Sequence, residues 1–317
     1  MSFVPALVRR NPLLPSYIIV GALLVVLIVT GGIVSDRFLT WRNASNLFQQ
    51  MVVLGLASLG QTFVILLGGI DLAVGSLVSA TTVFLGSFLE WRPDLVWLAV
   101  PAALIGAAGI GALNGYLSTR LGVHPLIVTL GTSSIIFGAT LSYRKEPGGS
   151  IPPGFDTLAF GDIFGVPVPA IALVAAFVIA GIWLQRSRSG RSVYFVGGGY
   201  ENARLNGLPV RRITVGVYAL SGFCAGLAAI FLIAKTGVGD PRICAALTLQ
   251  SITPVVVGGT ILVGGRGGVL GTFLGVVLVA MLNNLLNFSG VSSYYQWVLQ
   301  GVIILLAVGL HNQDREA

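Results

Sequence analysis

Apolar residues come in long unbroken runs along this chain, separated by short stretches rich in glycine, proline or charge. The runs lack the three-and-four spacing of a half-wetted helix and the alternation of a strand. About 20 consecutive apolar residues make a helix long enough to cross the ~30 Å hydrocarbon core of a bilayer. Ten such helices are predicted: Ser16–Ser35, Asn46–Leu67, Leu72–Leu89, Leu95–Thr119, Pro125–Tyr143, Val168–Gln185, Ile213–Ala234, Leu247–Val263, Val269–Leu286 and Tyr294–Leu310. Strands of a membrane barrel would instead alternate over about 10 residues. The joints after the second and eighth helices are very short, so either pair could be partly re-entrant.

Composition agrees with the pattern. The 317 residues are 55% hydrophobic and 9% charged, with a mean hydropathy of +0.91, whereas soluble domains carry about 25% charged residues. Glycine accounts for 43 positions, which suits membrane helices whose backbones approach closely. The expected fold is all-α: a polytopic membrane helical bundle of about ten spans, one domain over residues 1–317. With the N-terminus inside and the spans alternating, eleven basic residues fall inside and seven outside. That is the positive-inside bias. Both termini are therefore expected in the cytoplasm, with the loop 186–212 cytoplasmic and the loop 144–166 outside. The net charge of +7 then reports orientation and does not imply nucleic acid.

The apolar stretch from Leu13 to Val34 is too long for a cleaved signal and no Ala-x-Ala site follows it, so Arg9 and Arg10 read as an inner anchor. Cys224 falls in a span and Cys244 outside, so neither a disulfide nor a metal site is expected. The only Lys followed by Ser or Thr is Lys235-Thr236, which lacks the glycines of a phosphate-binding loop. No enzyme is expected; if ATP drives this protein, another chain binds it.

Three features carry the functional reading. Asp71 is the only charged residue between Arg42 and Glu90. A carboxylate is expensive there, and the Gly68-Gly69-Ile70 turn before it suggests that Asp71 caps the N–H groups of Leu72–Val74 at the cytoplasmic end of the third span. A direct role in transport is the competing reading. The cytoplasmic segment Arg186–Arg212 carries six arginines. Within it Tyr200–Asn206 suits two helical turns, with Glu201 and Arg204 three apart, Gly207 as the stop and Pro209 preventing continuation. Finally, Leu67–Gly75 aligns with Val257–Gly265, matching Gly68, Gly69 and Gly75 to Gly258, Gly259 and Gly265, and Asp71 to Ile261. Internal repeats are common in transporters.

Gly68-Gly-Ile-Asp-Leu-Ala-Val-Gly-Ser76 resembles the signature of ribose-type sugar permeases, the membrane subunits of ATP-binding-cassette importers. Asn114–Gly131, Val255–Thr260 and Gly264–Thr272 resemble further blocks of that family, and Phe195–Leu208 is similar to its coupling segment. Gly199 stands where the family commonly has Asn, and Asn202-Ala203 where it often has paired alanines. The resemblance runs in order from about residue 20 to residue 310.

It implies a permease in the bacterial inner membrane that moves a monosaccharide, pentose or hexose. It also implies a separate ATPase holding ATP-Mg, a periplasmic sugar-binding protein, and a second permease subunit, identical or paralogous. The Pro/Gly-rich outer loop 144–166, which mixes both charge signs, reads as a docking surface for the binding protein or else as a plain connector. Tyr200, Glu201, Asn202, Ala203, Arg204, Leu205 and Gly207 would form the coupling helix, where Ala203→Arg is expected to block ATPase docking. A sugar pathway needs neutral hydrogen-bonding groups. Gln50, Ser58 and Gln61 share one face of the second span, Asn283 and Asn287 share another, and Asn114 and Thr129 add polar points. A branched-chain amino-acid permease and an ion-coupled carrier using Asp71 are the alternatives.

Overall fold

A computed structural model of the chain describes residues 14–243, 246–292, 294–299 and 301–303. It shows an all-α polytopic membrane protein: among the described residues, eight helices are long and apolar enough to cross a membrane. In chain order the helices are α1 (Leu14–Val34), α2 (Trp41–Leu66), α3 (Val74–Trp91), α4 (Val96–Leu121), α5 (Pro125–Tyr143), α6 (Thr157–Phe160), α7 (Val168–Arg186), α8 (Arg188–Gly198), α9 (Tyr200–Leu205), α10 (Val210–Thr236), α11 (Leu247–Val257) and α12 (Val269–Phe288). A two-stranded ribbon, β1 (Asp162–Ile163) with β2 (Val166–Pro167), lies in the loop 144–166, where the sequence predicts no strand.

Helix α10 is the hub, packed by α2, α3 and α4. On α4 the buried residues Ala99, Ala103, Ala107, Gly111 and Gly115 recur every four positions. Against this stripe, a Cβ on Gly222 would overlap the Ala107 carbonyl, and one on Gly115 would lie 2.8 Å from Val215 Cα. Lipid offers no hydrophobic force between helices, so close backbone approach and its dispersion energy replace it. Hydroxyls and amides add crosslinks. Thr62 and Thr272 join α2 to α12 at 2.8 Å. Asn43 and Asn284 exchange two bonds between the same helices at 2.9 and 3.0 Å.

Helices α1 and α5 each bury only 11% of their span. The uncovered face of α1 shows Ile18, Ile19, Val25, Val26, Val29 and Ile33. That of α5 instead mixes Gly131, Ser134, Gly138 and Ser142 with its apolar residues.

Several expectations are corrected. The predicted span Leu247–Val263 is helical only to Val257; its 11 residues reach about 16 Å, half a bilayer. Glycines 258 and 259 end it. Residues 258–268 continue as irregular chain, which membrane depth tolerates only where protein surrounds it. There Thr260 is buried and its Oγ1 accepts the Gly268 N–H at 3.3 Å. The third span starts at Val74 instead of Leu72. The segment 186–212 holds an extra amphipathic helix, α8, whose N-cap Ser187 accepts the Gly190 N–H at 2.8 Å. Of the predicted tenth span, 294–299 and 301–303 are described and helical, and the rest lies outside the described residues, as do Arg9, Arg10 and Cys244.

Candidate functional site

The site grows from the end of α2. There the Gly69 N–H reaches back to the Val64 carbonyl at 3.0 Å and the Gly68 N–H to Ile65 at 2.9 Å, around Gly68 in the left-handed region (φ 88°). This paired bond satisfies helix carbonyls that would otherwise lie orphaned. The chain then passes to Asp71, whose side chain is buried (1% exposed). Asp71 Oδ1 accepts the Ala73 N–H at 3.0 Å, and Oδ2 accepts the Ser221 hydroxyl of α10 at 2.8 Å. Gln61 Oε1 accepts the Asp71 N–H at 3.3 Å.

Asp71 is therefore not the expected N-cap. Ala73 holds that position, and of the N–H groups of Leu72–Val74 Asp71 takes only Ala73's. Its second bond goes 150 residues along the chain, to a helix position about 16 Å from the start of α10 by helical rise. Asp71 thus tethers the turn to the hub helix. Other helices brace the same turn. Thr129 of α5 donates to the Ile70 carbonyl at 3.2 Å. Thr248 of α11 accepts the Gly75 N–H at 3.0 Å, filling an orphan donor at the start of α3. A Cβ on Gly69 would lie 2.5 Å from the Tyr218 hydroxyl.

The end of α11 repeats the turn. Thr260 N–H bonds to Val255 at 3.1 Å and Gly259 N–H to Val256 at 2.9 Å, around Gly259 (φ 88°). By geometry Gly68 matches Gly259, one residue out of step with the sequence alignment. Asp71 consequently corresponds to Leu262, where Ile261 was expected. The alignment slipped because Gly-Gly can match Gly-Gly with either glycine supplying the left-handed residue.

The seven polar residues read as a pathway do not share one surface. Ser58, Gln61, Asn114 and Thr129 are buried inside the protomer, Asn283 is half-buried, and Gln50 and Asn287 are exposed. Gln61 and Thr129 hold the Gly68–Asp71 turn, and Asn287 accepts from Gln296 at 2.7 Å. Ser58 Oγ, Gln61 Nε2, both amide atoms of Asn114 and the Tyr218 hydroxyl are buried without a partner among the described residues. A cavity of about 590 Å³ opens beside this polar centre, lined by Gly69, Ser118, Thr119, Tyr200, Thr214 and Tyr218 among others.

Helix α9 forms as the spacing suggests. Arg204 and Glu201 pair at 3.2 Å, and Gly207 (φ 77°) stops the helix with the same paired bond, Leu208 to Ala203 and Gly207 to Arg204. Tyr200 is 49% and Leu205 79% exposed, with Glu201, Asn202 and Arg204 also facing out. Ala203 faces inward, 4% exposed, among Val196, Val210 and Leu67. An arginine at 203 would therefore strike the helix's own seat before it met any partner. Behind α9, Tyr194 donates to the Gly267 carbonyl at 3.3 Å; burial pushes its phenol up, which keeps it a donor.

Known proteins agree over nearly the whole chain. Residues 43–308 match a family model described as the permease component of the branched-chain amino acid transport system. The chain is 38% identical to the ribose import permease protein of Bacillus subtilis (strain 168), covering 90% of this chain and 89% of that one. It is 37% identical to the ribose import permease protein of Escherichia coli (strain K12), with 92% of each chain covered. To the D-allose transport system permease protein of Escherichia coli (strain K12) it is 31% identical, over 91% of this chain and 89% of that one. No solved structure matches the chain.

Proposed function

The chain belongs to the family described as branched-chain amino acid transport system permease components, and from that premise we propose that it carries a monosaccharide, pentose or hexose, inward across a bacterial inner membrane. The observation that carries this reading is similarity along nine-tenths of the chain to permeases named for ribose and allose. The family description names branched-chain amino acids, but the relatives are the more specific guide, because each is named for a sugar and matches about nine-tenths of both chains.

A separate ATPase binds ATP-Mg and grips the outward face of α9, namely Tyr200, Glu201, Asn202, Arg204 and Leu205. A periplasmic binding protein delivers the sugar near the loop 144–166. The chain crosses ten times with both termini in the cytoplasm, the eighth crossing being α11 completed by residues 258–268. A second permease subunit covers α5, whose exposed Gly131, Ser134, Gly138 and Ser142 form a small-residue stripe that lets another helix approach closely. The hydroxyl-lined cavity beside Tyr218 suits a neutral polyol leaving toward the cytoplasm. An ion-coupled carrier is less well supported, since both oxygens of Asp71 are engaged by Ser221 and Ala73.

Reconstitution with a cognate binding protein and ATPase tests this reading. ATP-dependent uptake of labelled ribose or allose, uncompeted by leucine, is expected. Uptake that persists without the ATPase, or that leucine abolishes, overturns it.

A further inference from the structure

Three separate glycine segments meet behind the coupling helix, and they meet backbone to backbone. The first is the end of α2, Leu66–Gly68. The second is Gly264–Gly265, in the irregular stretch before α12. The third is Gly197–Gly198, the last turn of α8, two residues before α9 begins. The Gly265 N–H donates to the Leu66 carbonyl at 2.9 Å, locking the first two together. The third fits into their seam. A Cβ on Gly197 would overlap the Leu66 carbonyl and lie 2.7 Å from Gly265 N. One on Gly264 would lie 2.7 Å from Gly68 N and 2.9 Å from the Gly197 carbonyl. The coupling helix reaches the same place with its one buried side chain, since Ala203 packs with Val196 and Leu67.

We propose that this junction is the contact that carries displacement of α9 into the membrane, with Gly197 as a positioning residue for transport; the proposal rests on the permease reading above. The physical argument is stiffness. Side chains at a contact can change rotamer and absorb a push, whereas peptide groups in van der Waals contact cannot. From the junction the route is contiguous. Gly68 and Gly69 lead to Asp71, and Asp71 holds Ser221 at 2.8 Å on the hub helix. Gly264–Gly265 leads to α12 through Gly268 and Thr260. The α8 end therefore touches the first turn at Leu66 and, at Gly264–Gly265, the stretch that follows the second turn, so one movement of α9 reaches both segments. The junction stays closed through the cycle and moves as a unit.

The neighbouring glycine supplies the control. A Cβ on Gly198 would meet nothing within 4 Å, and its φ is not in the left-handed region. In the reconstituted importer, Gly197→Ala should keep assembly with the ATPase and basal ATP hydrolysis but lower sugar transported per ATP by about tenfold. Gly198→Ala should stay within about twofold of the parent. Equal coupling in the two variants overturns the proposal while leaving the permease reading intact; loss of ATP dependence in the parent would strike that reading instead. If Gly197→Ala does not assemble, a second measurement decides. With Cys224 and Cys244 replaced by alanine, a short thiol crosslink between Leu67→Cys and Val196→Cys should form equally with and without ATP and leave transport above half. Crosslinking that arrests transport, or that depends on nucleotide, shows the junction opening and overturns the proposal.

Discussion

The turns at Gly68–Asp71 and Gly259–Leu262 are closed by the same pair of hydrogen bonds around a glycine at the same φ of 88°, yet they are held in place differently. The first carries a buried carboxylate tied to α10 and is braced by Thr129 and Thr248 from two more helices. The second has an apolar residue at the matching position, Leu262, which packs in one cluster with Ile65 and Ile70, and its side-chain and turn hydrogen bonds stay local, Thr260 to Gly268 and Ile261 to Arg266. The cap is a local solution to orphaned carbonyls, so it recurs wherever a helix must stop. The tether belongs to one copy only. It makes the α2 turn part of the hub and leaves the α11 turn attached mainly to its neighbours.

Removing the tether should have the largest effect. Asp71→Leu, which makes the first turn resemble the second, leaves the Ser221 hydroxyl and Ala73 N–H unsatisfied and should cost about 2–5 kcal/mol. Denaturant unfolding in mixed micelles would read it; a loss no larger than that of Asp71→Asn would dismiss the tether. Ser221→Ala deletes one buried bond and leaves an Asp71 oxygen unpaired, which should cost about 1–3 kcal/mol, with no stability change meaning that the bond is absent in the membrane.

Alanine at the two left-handed glycines compares the turns directly. Each substitution should cost about 1–2 kcal/mol for conformation. Gly68→Ala should be the worse, because its Cβ meets the Val263 carbonyl at 3.0 Å inside the bundle, whereas that of Gly259 meets Ser16 at 2.8 Å on α1, a helix only 11% buried that can shift aside. The reverse order in melting temperature would refute the difference in surroundings. The smallest effect belongs to Asp71→Asn, about 1 kcal/mol or less, since the amide oxygen can still accept from Ala73 while its NH2 donates to the Ser221 oxygen. Complete loss of uptake in a well-inserted Asp71→Asn protein would point to a role for the charge itself in transport.

Much of this was legible in the chain. Apolar run length locates the long helices because the bilayer sets their length, and Gly207 with Pro209 marks the end of α9 because stop chemistry is local. The alanine and glycine stripe of α4 is likewise visible at its four-residue spacing. What was hidden is long-range or depends on enclosure. Nothing near Asp71 names Ser221, 150 residues away. Leu247–Val263 is almost wholly apolar or small, so hydropathy cannot reveal that its helix ends at Val257 and that 258–263 is irregular chain, buried only at Gly258–Thr260. The polar stripe of α2 read as a pathway because a buried glutamine and an exposed one look alike in sequence. The structure spends Gln61 on the Asp71 backbone and leaves Gln50 outside.

The glycine junction also bears on heredity. Damage at a side-chain contact can be repaired by trimming the neighbour, and a lineage can drift through such pairs. At Gly197 the obstructing atoms are the Leu66 carbonyl and the Gly265 amide, which every replacement at those positions would retain. Second-site suppressors of Gly197→Ala should therefore not arise at residue 66 or 265. They should appear, if at all, in segments whose movement widens the seam.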